Sequence, residues 1–463
     1  MSWRDVRCGE LGEAHASSIV ALAGWVHEVR MDAGVVTIAL RDATGVATLL
    51  VDAGERADLA AMAASVTPES VVQACGRAVL TDGAPSLRLD SLRVLSAAGS
   101  LPFRPDDPAA SLDDFGDASP RLRQRWLHLR SRAAQAALRL RARVTSEIRR
   151  AMEDEGFVEV ETPLLHKPMP LGGNDFLVAS RVTPGELFGL PQSPQFYKEL
   201  LTIGGVDRYY QVARAFRDEP VGPYRVQELT QLDLEMAFAT RDDVLGVVET
   251  VLARVWRACL GVELAVPFRR LTWRDALDRH GTDQPDLRGE RGPGAAGPAF
   301  LWVTDQPLFV WSDEWRCFVC EHNPFTAPTP QTAHLLGTDP GAVAGERYDL
   351  IADGIEIGGG ALRIVSADDQ AKVFDVMGLE EADRRLWLGP YLDALETGAP
   401  PRGGLALGLD RLVMLALGAD DVRAGLAFPK SLRGRDEMYD SPSSVPPEKL
   451  REVGLNPGAD DGA

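Results

Sequence analysis

The sequence predicts an α+β chain led by a small β-barrel. Two observations carry this. The first hundred residues are short runs rich in Val, Ile, Thr and Leu, separated by Gly34, Gly45, Gly54 and the Asp82-Gly83 pair. From residue 134 onward, stretches of helical spacing alternate with strand-like runs. With 463 residues at roughly 150 per domain, two or three domains are expected. No apolar run approaches the roughly 20 residues of a membrane span, and MSWRDVRCGELGE has no basic-then-apolar order of a signal peptide. Five cysteines do not make a disulfide framework, so a reducing cytoplasm is expected. The net charge of −19 argues against coating nucleic acid non-specifically.

In chain order, strand-like runs fall at 18–27, 35–41, 47–51, 71–80 and 86–95, with a helical stretch at 57–64. Five strands and one helix over residues 1–104 suggest an OB-fold. Residues 105–133 are expected as a linker, because 101–119 is rich in Pro and Asp. A basic stretch follows: 121–150 holds ten arginines and one acidic residue, Glu147, which makes a phosphate-facing role a candidate beside a solvated helix face. The helix expected at 134–154 ends at Gly156. Residues 207–217 and 229–238 read as an antiparallel hairpin. In its second run Leu232, Leu234 and Met236 alternate with Asp233 and Glu235, one face apolar and the other carrying carboxylates. A helix at 240–259 takes Thr240 as its N-cap. Residues 283–297 form a Gly/Pro-rich loop, 406–417 is expected as a helix entered by Gly403-Gly404, and 440–463 as a flexible tail.

Three motifs carry chemistry. FRDEP at 216–220 closes the first strand of the hairpin, placing Arg217 beside Glu219 to grip a phosphate. GGLALGLDRL at 403–412 combines glycines that admit a ligand to the backbone with Arg411 at a helix start. In DLIADGIEIGGGALRI, Asp349 and Glu356 sit on neighbouring strand-like segments and suit Mg²⁺ on phosphates. Cys317-Phe-Val-Cys320 has no second ligand pair in sequence and is not read as a zinc site.

Together these residues resemble a class II aminoacyl-tRNA synthetase, and closely the aspartyl-tRNA synthetases. The likeness runs from CGELGEAH and GWVHEVR to LAFPKS. It includes FVEVETP as motif 1, RAFRDEP through TQLDLEMAF as motif 2, and GLALGLDRL as motif 3. LPQSPQFYKELL, HNPFTAP and EIGGGALRI match segments of the aspartate branch. The resemblance implies an antiparallel sheet flanked by helices over 134–439, an OB anticodon domain, a homodimer, and an ATP-dependent ligase that makes aspartyl-adenylate and passes it to a tRNA 3′ end. The extra domain that bacterial members insert between motifs 2 and 3 is expected to be absent, with the loop at 283–297 in its place.

Carried over residue by residue, Arg217 and Arg411 are implied as catalytic groups on ATP, with Glu219, Leu229 and Glu356 also in the ATP site. Asp349 and Glu356 are implied as Mg²⁺ carboxylates. Ser193, Gln195, Asp233 and His322 are implied around the amino acid, and Lys198 and Arg363 on its side-chain carboxylate. Two convergent cations in a closed pocket need an anion, and an amide would leave them unpaired.

The sequence also departs from that family. Leu171 stands where a Glu receives the substrate ammonium, and Leu229 where a Phe stacks on adenine. His322-Asn323-Pro324 replaces His-His-Pro, and PVGPYRVQE replaces an Arg-rich motif 2 loop. In the barrel, Glu28, Val29, Val35, Thr37 and Thr48 occupy places where basic, aromatic and base-reading residues are usual. Two alternatives therefore remain open: a paralogue that activates aspartate or a related acid for a non-tRNA or biosynthetic acceptor, and an inactive tRNA-binding or regulatory protein. Retention of Arg217, Arg411, Asp349 and Glu356 together argues against the inactive one.

Overall fold

The computed structural model describes residues 3–81, 83–106, 119–169, 174–292 and 296–455. The chain divides into two compact units. One comprises Met1–Ala109 with Trp126–Gln135, the other Ala110–Arg125 with Ala136–Ala463.

In the first unit, β1 (Ile19–Asp32), β2 (Val35–Arg41), β3 (Val46–Asp52), α1 (Ala57–Ser65), β4 (Val71–Thr81) and β5 (Ala84–Ser96) form a closed barrel of order β1-β2-β3-β5-β4. The alternation along each strand fills it: Leu22, Val26, Val36, Ile38, Leu40, Leu49, Val72 and Leu87 are fully buried. Residues 126–135, expected as linker, belong to this unit for a physical reason. Arg130 lies 5.2 Å over the Trp25 ring and pairs with Glu69 at 3.0 Å. Glu69 also holds the buried Arg41 at 2.7 Å, and Arg41 reaches Asp106 at 3.0 Å.

Further along come α2 (Pro120–Arg123), α3 (Arg125–His128) and α4 (Arg132–Asp154), then β6 (Val158–Glu159), β7 (Leu177–Ala179), β8 (Leu187–Gly189) and α5 (Gln195–Ile203). The hairpin is β9 (Arg208–Phe216) and β10 (Glu228–Ala237), followed by α6 (Arg241–Leu260). Thr240 caps α6 through a reciprocal capping box with Asp243. Next are β11 (Arg269–Thr272), α7 (Trp273–His280), β12 (Phe300–Thr304), β13 (Phe309–Ser312), β14 (Cys317–Cys320), β15 (Arg347–Ala352) and β16 (Ile355–Leu362). The chain closes with α8 (Ala367–Val376), α9 (Glu381–Glu396), β17 (Arg402–Gly408), α10 (Leu409–Leu417) and α11 (Pro447–Glu452).

Eight strands form one sheet of order β11-β12-β15-β16-β17-β10-β9-β6. The pairs from β12 to β9 are antiparallel, and the two edge pairs are parallel. A continuous core of Leu232, Leu234, Val248, Leu252, Trp256, Trp302, Leu350, Leu405 and Leu407 joins the sheet to α4, α6 and α10. Among the described residues, no helix is long and apolar enough to cross a membrane.

Three expectations are corrected. Residues 402–408 form a central strand, so 406–408 are strand rather than the helix expected from 406, and the helix begins only at Leu409. Its glycines are spent on close approach: a Cβ on Gly404 would overlap the Glu235 carboxylate and the Leu234 carbonyl. The C-terminal segment is not wholly free, since α11 packs back. Arg181 pairs with Glu452, and the Gly185 N–H donates to the Val453 carbonyl at 2.8 Å. The basic stretch is largely engaged in structure. Arg130 pairs with Glu69, Arg141 with Asp410, Arg149 with Glu159 and Arg150 with Glu147, while Arg125 and Arg143 donate to backbone carbonyls. The Arg123, Arg149 and Arg150 side chains are nonetheless 63%, 42% and 67% exposed, so pairing does not remove them from the surface.

Candidate active site

A cavity of about 450 Å³ opens on the face of the sheet formed by β10, β16 and β17. It takes Ser193, Gln195 and Lys198 from the start of α5, and Arg217 and Glu219 from just beyond β9. Leu229 and Gln231 come from β10, Glu356 from β16, Arg363 from just past it, Arg411 from α10 and His322 from the loop after β14. Of the residues expected in the site, Asp233 and Asp349 do not line it. Leu171 lies outside the described residues, so its part in the site has no structural account here.

The inner end is a buried charge network. Two carboxylates two residues apart on β10, Asp233 and Glu235, face the same way and both are fully buried. Lys198 Nζ lies 3.1 Å from Asp233 and 3.6 Å from Glu235. Arg363 donates through Nε and Nη2 to the two Glu235 oxygens at 2.9 and 3.1 Å. Arg402 Nη2 donates to Glu199 at 2.7 Å and to the Tyr391 hydroxyl at 3.1 Å. Three cations thus meet three carboxylates. Lys198 and Arg363 are not the unpaired cations expected from sequence, because Glu235 neutralises them from beneath. Arg363 Nη1 and Asp233 Oδ2 remain buried without a hydrogen-bond partner. Burial pushes the Asp233 carboxyl above its ordinary range against the pull of Lys198. Glu235 is held below its ordinary range, Arg363 and then Lys198 outweighing the cost of burial.

The carboxylate face of the hairpin is therefore buried on purpose. Glu235, Glu199 and Arg402 were missed in sequence. The signal for Glu235 was its two-residue spacing from Asp233, and for Glu199 its one-turn spacing from Gln195.

The outer end carries Arg217, Arg225 and Arg411 beside Glu219, Glu356 and Asp410. Arg217 Nε is buried with no hydrogen-bond partner. Arg411 donates from Nε to the Tyr224 carbonyl at 3.0 Å and from Nη1 to the Glu356 carbonyl, tying the loop between β9 and β10 to β16. Asp410, beside it, accepts from Arg141 at 2.6 Å and from the Thr230 N–H at 2.8 Å, which fixes α10 on β10. His322 has accessible surface in the cavity. Desolvation, and then the charges of Arg347, Arg363, Lys198 and Arg217, shift its pKa below the ordinary histidine value.

Asp349 and Glu356 differ in their fitness for Mg²⁺. Glu356 lines the cavity. Asp349 is buried, and both its oxygens accept from Arg347, at 3.2 and 2.7 Å, with Gln306 adding 3.0 Å. Burial, and then the charge of Glu356, push its pKa up to about 7 despite Arg347. Glu356 fits a metal on phosphates as it stands, whereas Asp349 fits only if the Arg347 fork lets go.

Comparisons with known proteins agree with this geometry. The profile of class II tRNA synthetases for D, K and N matches residues 117–432, and that of the OB-fold nucleic acid binding, tRNA anticodon domain matches 20–95. The aspartate–tRNA(Asp/Asn) ligase of Moorella thermoacetica is 34% identical over 98% of this chain and 96% of its own length. The aspartate–tRNA(Asp) ligase of Deinococcus radiodurans is also 34% identical, over 98% and 99%. The Moorella alignment spans 584 positions, more than the 463 residues of this chain, so the relative carries additional residues. The crystal structure of asparaginyl-tRNA synthetase from Pyrococcus horikoshii with asparaginyl-adenylate shares the fold, with a TM-score of 0.72 at 22% identity over 92% of this chain and 98% of that one. The chain belongs to the aspartate–tRNA ligase family of class II tRNA synthetases, which are ATP-dependent ligases.

Proposed function

We propose that the chain activates aspartate with ATP to aspartyl-adenylate and transfers the aspartyl group to a tRNA 3′ end. The observation that carries this is the single cavity with two unlike ends. One end has donors that suit a carboxylate side chain, the other has arginines that suit phosphates. The substrate α-carboxylate attacks the α-phosphorus and pyrophosphate leaves. Arg217 stabilises the charge that develops on the phosphoryl oxygens, and Arg411 holds the far phosphates. Glu219, Leu229 and Glu356 complete the nucleotide site, with Leu229 packing on the base without a ring to stack. Ser193, Gln195 and His322 surround the amino acid, with Lys198, backed by Asp233, and Arg363 on its side chain. Glu356, and Asp349 once freed from Arg347, would hold Mg²⁺, which would supply positive charge against the phosphates. The test is ATP–pyrophosphate exchange with aspartate, followed by aminoacylation of total tRNA.

A homodimer in the cytoplasm is part of the same reading. It is supported by the exposed Val158, Leu164 and Leu165 beside a groove lined by Val160, Pro163, Tyr197, Leu200 and Val206. It is supported too by five free cysteines.

A second reading, a non-tRNA acceptor, draws on the barrel. Register puts Glu28 opposite Ala39, Arg30 opposite Thr37, Ala39 opposite Thr48 and Thr37 opposite Leu50. This outward face has small side chains, and its Arg30 is paired with Glu28 at 2.8 Å. It offers neither rings nor free positive charge to bases. Each base read directly is worth about 1–3 kcal/mol. Swapping the anticodon of tRNA(Asp) is therefore expected to change charging by less than about tenfold. Strong anticodon discrimination would show that other residues of the barrel read it. Intact adenylation without tRNA charging would favour the non-tRNA acceptor.

A further inference from the structure

The inner end of the cavity contains a carboxylate that touches no substrate position, and its neighbours assign it a task. Glu199 is fully buried on α5, one turn beyond Gln195. Gln195 Nε2 donates to Glu199 Oε1 at 2.6 Å. The other oxygen, Oε2, accepts from Arg402 Nη2 at 2.7 Å. Arg402 is itself buried and held by the Tyr391 hydroxyl at 3.1 Å, so Glu199 cannot swing away without leaving a guanidinium unpaired.

An amide can turn either end to a neutral neighbour. An ionised carboxylate only accepts, so Gln195 must present its nitrogen to Glu199. That leaves its carbonyl oxygen as the group it offers to a molecule in the cavity. Asp233 Oδ2, also without a partner, is buried behind the lining and adds negative charge from beneath it. Lys198 and Arg402 are paired with carboxylates, whereas Arg363 keeps one unpartnered donor, Nη1, for an anion.

We propose that Glu199, clamped by Arg402, is a positioning residue for amino-acid selection: it fixes the Gln195 amide so that its oxygen receives the substrate ammonium. This rests on the adenylation reading above. Lys198 and Arg363 act on the side chain and the Glu199–Gln195 pair on the α-amino group, although Arg363 Nε also lies 3.7 Å from Glu199 Oε1, so the aspartate KM is the reading that reports on Gln195. Neither Glu199 nor Arg402 touches substrate, and their effect is exerted through Gln195.

The test compares aspartate with succinate, which has both carboxylates and no ammonium. ATP–pyrophosphate exchange gives the KM for aspartate, and inhibition of that exchange gives the constant for succinate. In Glu199→Gln the neighbour of Gln195 can donate or accept, so the amide orientation is no longer enforced. The KM for aspartate is expected to rise by roughly tenfold or more, with succinate inhibition and the KM for ATP changed by no more than about threefold, within the usual context dependence of a neutral contact. The charge-swapped Gln195→Glu, Glu199→Gln protein places an acceptor at 195 whichever way it turns, at the same total charge. It is expected to recover the preference for aspartate over succinate. A preference unchanged in Glu199→Gln, or not recovered in the swap, overturns the proposal. Should Glu199→Gln fail to fold, Arg402→Lys decides: it keeps the cation but not the planar clamp on Glu199, and an aspartate KM unchanged in it overturns the proposal. Failure of the parent reading looks different: the native protein would then show no aspartate-dependent exchange at all.

Discussion

Arg217→Ala is expected to lower aspartate-dependent ATP–pyrophosphate exchange by at least about 100-fold, the loss typical when one preorganised donor to a developing negative charge is removed. The guanidinium is placed by backbone: the Arg217 N–H donates to the Gln227 carbonyl at 2.8 Å, closing the mouth of the β9–β10 hairpin. Its side chain meanwhile keeps a buried, unpartnered Nε. A buried donor without a partner costs about 1–3 kcal/mol, and a phosphoryl oxygen repays it. The truncation therefore removes a catalytic contact without breaking a structural one, so the folded fraction should hold while kcat falls. Arg217→Lys keeps the charge but not the planar fork and should recover only part of the rate. Exchange at the native rate in Arg217→Ala would refute the assignment of this cavity to adenylation.

Asparagine is expected to be activated at least roughly 10³-fold less efficiently than aspartate, measured as kcat/KM in the same exchange assay. The reason differs from two cations waiting for an anion. Lys198 and Arg363 already rest on Glu235 and Asp233. What they show to the cavity is donors and nothing else, with Arg363 Nη1 unpartnered. A carboxylate satisfies donors with both oxygens. An amide sets its own N–H groups against them in either orientation, leaving buried donors unmet. Equal activation of the two amino acids would show that the side chain does not reach this floor.

Much of the fold was legible because its cues are local. The barrel strands, the capped α6 and the β9–β10 hairpin follow from alternation, helical spacing and one Thr. Residues 406–408 were misread as helix because Gly-Gly-Leu-Ala-Leu-Gly carries no strand propensity of its own. It is a strand because β10 and β16 lie close on both sides and tolerate no Cβ at Gly404. The site was legible as a set of residue types gathered by motif, and the structure brings ten of the twelve into one cavity. What sequence could not supply is which charges already have partners. Glu199 and Arg402 are 203 residues apart, and Glu235 and Arg363 are 128 apart, so no local pattern announces either pair. The same holds for the arginines of 121–150, which a composition count leaves free and the folded chain does not.

The buried floor also sets how the two halves of the substrate pocket feel ionic strength. Lys198, Arg363 and Arg402 and their three carboxylates lie beyond the reach of mobile ions, which screen exposed charges over about 8–10 Å at ordinary salt. At the nucleotide end, the Arg225 side chain is 60% exposed and pairs with Glu219 at only 3.6 Å. Added potassium chloride should therefore raise the KM for ATP well before it touches the KM for aspartate. Amino-acid choice in this chain is insulated from the medium, and nucleotide capture is tuned by it.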